Sequence, residues 1–191
     1  MRDRRTLVIA AISAIVIVAI VVWAVTRAQH PTASQREASY APVVSQLEVG
    51  SRAPEFSIPS TAGMFDLDAQ RRPVLVEIFA SWCPHCQRET AVLNQLYGTF
   101  KSRIAFIAIP GNNTGMDGGP ESTADLINFI GRFHVVYPVA IYDPQLTIAD
   151  EYIHGGYPTI VVVGTNKKIL YVDSGEVSYA ALAGILTQAL T

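Results

Sequence analysis

At 191 residues the chain has room for one domain of ordinary size and an appendage. Half of it is hydrophobic and the formal net charge is −2. No cluster of basic and aromatic residues forms a nucleic-acid footprint, so nucleic acid is excluded as a partner.

The first thirty residues hold a disproportionate share of the apolar side chains. Leu7 to Val25 is apolar apart from Ser13. At about 1.5 Å per residue it reaches roughly 28 Å, close to the thickness of a bilayer core. Arg2, Arg4 and Arg5 precede this run, while Arg27 and Arg36 follow it. Residues 1–6 are therefore expected in the cytoplasm, residues 7–26 as a transmembrane anchor in the lipid bilayer, and the rest outside. A cleaved signal peptide is the rival reading, since Val22-Trp23-Ala24 weakly resembles a cleavage site, but the apolar run is longer than a signal core. Either way the remainder is exported. Residues 27–46, rich in Ser, Ala, Thr, Gln and Pro, read as a flexible tether. Taking Arg2, Arg4, Arg5 and Arg27 from the fourteen Lys+Arg, and Asp3 from the sixteen Asp+Glu, leaves ten against fifteen. The exported part is mildly acidic.

A domain is predicted over 47–191. Val49 to Ile58 leads into a short edge strand, with Phe65 to Leu67 as its partner. Val74 to Phe79 is apolar on both alternating faces, as in a strand covered on both sides, and Glu77 is its one charge. From Pro84 to about Phe100, Val92, Leu93, Leu96, Tyr97 and Phe100 recur at helical spacing. Ile104 to Ile109 is a second apolar strand, and strand, helix, strand implies a right-handed crossover between parallel strands. Gly111 to Pro120 is turn chemistry, either a substrate rim at the edge where open α/β sheets bind ligands or a plain connector. Asn112-Asn113-Thr114 also fits a glycosylation acceptor. Ser122 with Asp125 forms a capping box that starts a helix carrying Leu126, Phe129, Ile130 and Phe133. Pro138 to Tyr142 reads as a third strand, and Ile148 to Ile153 as a short helix ended by Gly155-Gly156. Thr159–Val163 and Lys168–Asp173 form a hairpin, and Val177 to Leu190 a final helix.

Both cysteines lie in Trp82-Cys83-Pro84-His85-Cys86, at a strand-to-helix turn. A thiol at a helix N-terminus meets unpaired backbone N–H groups and the positive end of the helix dipole, which favour the reactive thiolate. Cys83 is thus the nucleophile and Cys86, one turn further in, the resolving partner of a disulfide exchange. His85 on the same turn is expected to favour the Cys83 thiolate further. That would stabilise the reduced form and make the couple oxidising. Glu77, amid apolar residues, is expected to be buried with a raised pKa and to shuttle the Cys86 proton, unless strand twist brings it to a wet edge. A structural disulfide or half a zinc site is the alternative for the cysteines. Zinc needs two further ligands, and His134 and His154 are scattered singly, while His30 lies in the tether.

Val49-Gly50-x-x-Ala53-Pro54-x-Phe56, Phe79-Ala80-Ser81-Trp82-Cys83-x-x-Cys86 and Tyr157-Pro158-Thr159 together resemble the thioredoxin superfamily, and most closely its membrane-anchored TlpA/ResA-like branch. The resemblance covers about 47–190. It implies an α/β fold with a central mixed sheet flanked by helices, and a helix-strand insertion near 121–142. It also implies that Pro158 is a cis-proline facing the cysteines, that Glu77 occupies the buried acid position of thioredoxins, and that Trp82, Pro84, Tyr157 and Pro158 contact substrate. Two departures stand out. Pro84-His85 is the dipeptide of the oxidising DsbA type, and the segment before Pro158 is similar to that of protein disulfide isomerases.

The expected function is therefore an exported, membrane-anchored protein disulfide oxidoreductase that oxidises or isomerises exported protein thiols. It would be a monomer served by a membrane redox partner, with no cofactor or metal beyond the Cys83–Cys86 pair. A reductant of cytochrome c maturation, the usual context of this branch, is the alternative. A copper chaperone of the Sco type is a further one, although that family spaces its cysteines by three residues. A peroxiredoxin is set aside because Ala80 stands where that chemistry needs a threonine.

Overall fold

The computed structural model describes Ile20, Val22, Trp23, residues 47–141, Asp143 and residues 145–191. The chain divides into two units, Met1–Pro42 and Val43–Thr191. Of the predicted anchor 7–26 only Ile20, Val22 and Trp23 are described, all three helical and exposed. The rest of the predicted anchor, residues 1–6 expected in the cytoplasm and the whole of the predicted tether 27–46 lie outside the described residues. Among those described, no helix is long and apolar enough to cross a membrane.

The second unit opens with a hairpin of β1 (Ser57–Ser60) and β2 (Gly63–Asp66). The apolar run at 74–79 becomes β3 (Val74–Phe79), α1 (Pro84–Phe100) follows the cysteine turn, and β4 (Ala105–Pro110) returns parallel to β3. After the glycine-rich loop comes α2 (Thr123–Arg132). It begins as its sequence requires, with Ser122 Oγ accepting from Asp125 N and Asp125 Oδ2 accepting from Ser122 N. Then follow α3 (Thr147–Tyr152), β5 (Thr159–Val163), β6 (Ile169–Ser174) and α4 (Tyr179–Gln188). The main sheet has the order β4-β3-β5-β6, with β5 antiparallel to β3 and to β6. It is a mixed central sheet flanked by helices.

The predicted strand at 138–142 is not a strand of this sheet. Pro138 has no N–H to give a ladder, and the segment makes only isolated bridges, Val139 beside Ala108 and Ala140 beside Ser60. Its backbone still connects two elements. Ala108 N donates to Pro138 O and Ala140 N to Ala108 O, while Thr61 N donates to Val139 O and Ile141 N to Pro59 O. The β1–β2 hairpin is fastened in this way to the outer side of β4. Tyr142 lies outside the described residues.

Two cores cover the two faces of the sheet, and the period-two alternation of strands sorts the side chains between them. Leu75, Phe79, Phe106, Ala108, Ile160 and Val162 pack with α1, α2 and α4. Val74, Val76, Ile78, Ile107, Ile109, Val161 and Val163 pack with α3 and the β1–β2 hairpin. Glu77 has the parity of Leu75 and Phe79, so it belongs to the face under α1, the helix that carries Cys86.

Candidate active site

Cys83 is the N-cap of α1, in extended conformation and without a side-chain capping bond, and Pro84 follows at the first helical position. Proline is suited there because it lacks an N–H that would in any case go unpaired. The donors of the first turn, which a capping Ser or Asp oxygen would otherwise engage, are left for the sulfur. Cys83 is 5% exposed and Cys86 wholly buried, and both are free thiols. Burial, the largest cause, pushes the Cys86 thiol far above its ordinary range, and the charge of Glu77 adds to this. The Tyr157–Pro158 peptide is cis, and the Cys83 thiol donates to Tyr157 O at 3.8 Å. The structure thus brings Pro158 and Tyr157, 74 residues away in sequence, against the cysteine turn.

The rim around the thiols is aromatic and tightly fitted. Trp82 is 41% exposed and meets the Tyr157 ring edge-on at 6.3 Å. Its indole N–H donates to Asn112 Oδ1 at 3.4 Å, and the Tyr157 hydroxyl donates to Gly111 O. The glycine-rich loop therefore takes part in the rim. A Cβ at Gly111 would lie 2.6 Å from both Ile78 Cγ2 and Tyr157 Cε1. Gly111→Ala should displace Tyr157, cost about 1–3 kcal/mol of stability as overpacking does, and slow disulfide exchange. Urea denaturation and a dithiol-exchange assay would check both; full stability and rate would show that the close fit is unimportant. Behind the rim, Ser81 donates to Glu121, whose carboxyl burial raises to about 7. Glu121 lines a cavity of about 340 Å³ with Asn112, Asn113, Leu126 and Ile141.

Two carboxyl groups lie under the cysteines. Glu77 is 2% exposed, so the wet-edge alternative is excluded. Its pKa is raised to about 8, first by burial and then by the charge of Glu89, against the bond that Tyr137 donates to its Oε2 at 3.2 Å. Glu89, one turn beyond Cys86, is 1% exposed and raised to about 7, again chiefly by burial. Its Oε2 accepts from Val177 N at 3.1 Å, and its Oε1 has no hydrogen-bond partner among the described residues. Buried carboxyls resist charging unless compensated, so at neutral pH Glu77 is mostly protonated and Glu89 partly so, where solvent-exposed carboxyls would be ionised.

His85 is placed differently from expectation. Its Nδ1 lies 2.6 Å from Glu176 Oε1 and 2.9 Å from Arg88 Nη2, and among the described residues it makes no hydrogen bond to Cys83. Arg88 binds the same carboxylate through Nε, 3.1 Å from each oxygen, and through Nη2 at 2.5 Å from Oε1. The ring is outside the thiol pocket and 60% exposed. The helix turns it away because residue 85 points outward while Cys86 points to the core.

Residues 48–185 match the Redoxin family. The chain belongs to that family. This Redoxin chain is 26% identical to the thiol-disulfide oxidoreductase ResA of Bacillus cereus over 144 residues, 74% of this chain and 78% of that protein. It is 27% identical to ResA of Geobacillus thermodenitrificans over 133 residues, 68% and 71% of the two chains. Among solved structures, a candidate thiol:disulfide interchange protein DsbE from Chlorobium tepidum superposes with TM-score 0.66 at 25% identity, covering 76% of this chain and all of that one. A thioredoxin-family thiol:disulfide interchange protein from the same species gives TM-score 0.62 at 28% identity, over 75% and 99%. The fold is thioredoxin-like, and the protein is a TlpA/ResA-like redox enzyme of the thioredoxin superfamily.

Several residues of this Redoxin site were not singled out from sequence. Glu89 carried a usable signal, because the apolar stripe of α1, followed backwards from Leu93 and Leu96, passes through Glu89 to Cys86. Glu121, Tyr137 and Glu176 had none, each reaching the site from a distant loop.

Proposed function

We propose that this oxidoreductase is an extracytoplasmic reductant of protein disulfides, with maturation of c-type cytochromes, the usual context of the TlpA/ResA-like branch, as its setting. The observation that carries the exchange chemistry is the pairing of a rim thiol, Cys83, with a buried thiol, Cys86, opposite the carbonyl of Tyr157. The position of His85, bound to Glu176 and not to Cys83, supports the reducing direction over the oxidising one that Cys-Pro-His-Cys alone implies.

In this reading a substrate strand lies on Tyr157 and Pro158, with Trp82 and Pro84 beside it. The Cys83 thiolate attacks one sulfur of the substrate disulfide. A mixed disulfide forms, and the other substrate sulfur leaves as thiolate and takes a proton. Cys86 then gives its proton to Glu77 in the ionised form and attacks Cys83 Sγ. The second substrate thiol is released, and the protein keeps the two-electron oxidation as the Cys83–Cys86 disulfide. A membrane redox partner returns it to the dithiol, and residues 7–26 hold the domain at the bilayer where that partner lies.

Equilibration with glutathione redox buffers tests the direction. The expected potential is at or below roughly −250 mV, in the range of thioredoxin, whereas a value near −120 mV, that of DsbA, would reinstate the oxidant.

A further inference from the structure

The loop between β6 and α4 places three successive residues on the active site. Gly175, at φ +97°, donates its N–H to Pro158 O at 2.8 Å. Val177 donates its N–H to Glu89 Oε2 at 3.1 Å. Between them, the Glu176 carboxylate takes His85 Nδ1 at 2.6 Å and the forked guanidinium of Arg88. A carboxylate flanked by two such backbone anchors is held in place before its partners reach it. Its side chain, 37% exposed, is less open to water than His85 or Arg88 at 60% and 56%.

We propose that Glu176 is a positioning residue that sets the reducing character of the Cys83–Cys86 pair by neutralising Arg88 and holding His85, the two basic side chains on the opening turns of the helix that Cys83 caps. This inference rests on the reductant reading above. A positive charge near Cys83 stabilises the thiolate, hence the reduced protein, and makes the couple more oxidising. Arg88 is close enough for its charge and that of the Cys83 thiolate to act on each other. Glu176 occupies the guanidinium through both oxygens and contributes a compensating negative charge. That negative charge also opposes ionisation of Glu89. The bonds to Arg88 and His85 in turn hold the Glu176 carboxyl well below the ordinary carboxylate range, so it stays charged throughout neutral pH. The dipeptide Pro84-His85 is in this way prevented from acting as it does in an oxidant.

Reduction potentials of the wild-type protein, Glu176→Gln and Glu176→Asp, measured against glutathione with thermal melts in parallel, test the proposal. The amide keeps the shape and loses the charge. Glu176→Gln is expected to shift the equilibrium constant about five- to tenfold toward the oxidising side, roughly 20–30 mV, with the shift shrinking at high salt. Glu176→Asp, which keeps the charge, should stay near wild type. Arg88→Gln, which leaves the carboxylate underneutralised, should shift the couple the other way, and it carries the test if the melts show Glu176→Gln unfolded. A change of less than twofold, equal shifts in the Gln and Asp variants, or shifts of the same sign in Glu176→Gln and Arg88→Gln would overturn the inference. The wild-type value by itself decides the reductant reading, whatever the variants do.

Discussion

Cys86→Ser accumulates a mixed disulfide with a substrate protein through Cys83, and Cys83→Ser accumulates almost none. Both variants lose multiple-turnover activity, but for different reasons. Without Cys86 the first exchange still runs, because Cys83 keeps its place at the helix terminus beside Tyr157 O, and nothing resolves the product. Without Cys83 the remaining thiol is wholly buried and pushed far up by burial. Each unit of such a shift removes about tenfold of the nucleophile at a fixed pH, so the trapping ratio should exceed tenfold. Non-reducing electrophoresis after incubation with a disulfide-bonded protein would read it. Equal trapping by the two variants would contradict the assignment of attack to Cys83.

Glu77→Gln should change the pH dependence of both stability and turnover. The folded protein holds a proton on Glu77 up to about pH 8, whereas the unfolded chain releases it near 4.5. Between those values the folded state binds more protons, so stability falls as pH rises through this window. Glu89 adds to the slope up to about pH 7. The amide cannot ionise, so Glu77→Gln should match the wild type near pH 4.5 and exceed it at pH 9 by up to about 5 kcal/mol. The same variant loses its proton acceptor for Cys86, so its mixed disulfide should persist at least about tenfold longer. Urea denaturation at pH 5 and pH 9, with the decay of a preformed mixed disulfide, would measure both. Greater stability of the wild type at pH 9 would show that the ionised carboxylate is well solvated in the fold.

Much of this architecture was legible because its signals are local. The apolar runs at 74–79 and 104–109 are buried on both faces and read as strands covered on both sides. Ser122 and Asp125 lie three residues apart and cap α2 as their spacing requires. Glu77 was readable because a lone acid in such a run has no other place to go. Pro138–Tyr142 misled because its apolar composition is that of a strand, whereas its pairing depends on Ala108 and the β1–β2 hairpin, which no local pattern encodes. The hydrogen-bond partner of His85 was hidden for a related reason. The nearness of His85 to Cys83 in sequence was visible, but the carboxylate that draws it away comes from residue 176, ninety-one positions downstream. Dipeptide identity between two cysteines describes what a side chain is able to do, and its partners decide whether it does so.

The segment at 138–141 also bears on how this molecule meets unfolded chains. A strand at the border of a sheet offers a row of unpaired amides and carbonyls onto which any extended polypeptide can be zipped. At the midpoint of β4 that offer is withdrawn, because both backbone groups of Ala108 are already engaged by Pro138 and Ala140, and the hairpin behind them bars approach. An extended chain therefore finds the middle of β4 closed to it. The 138–141 segment thereby guards this border of the sheet against illegitimate strand pairing.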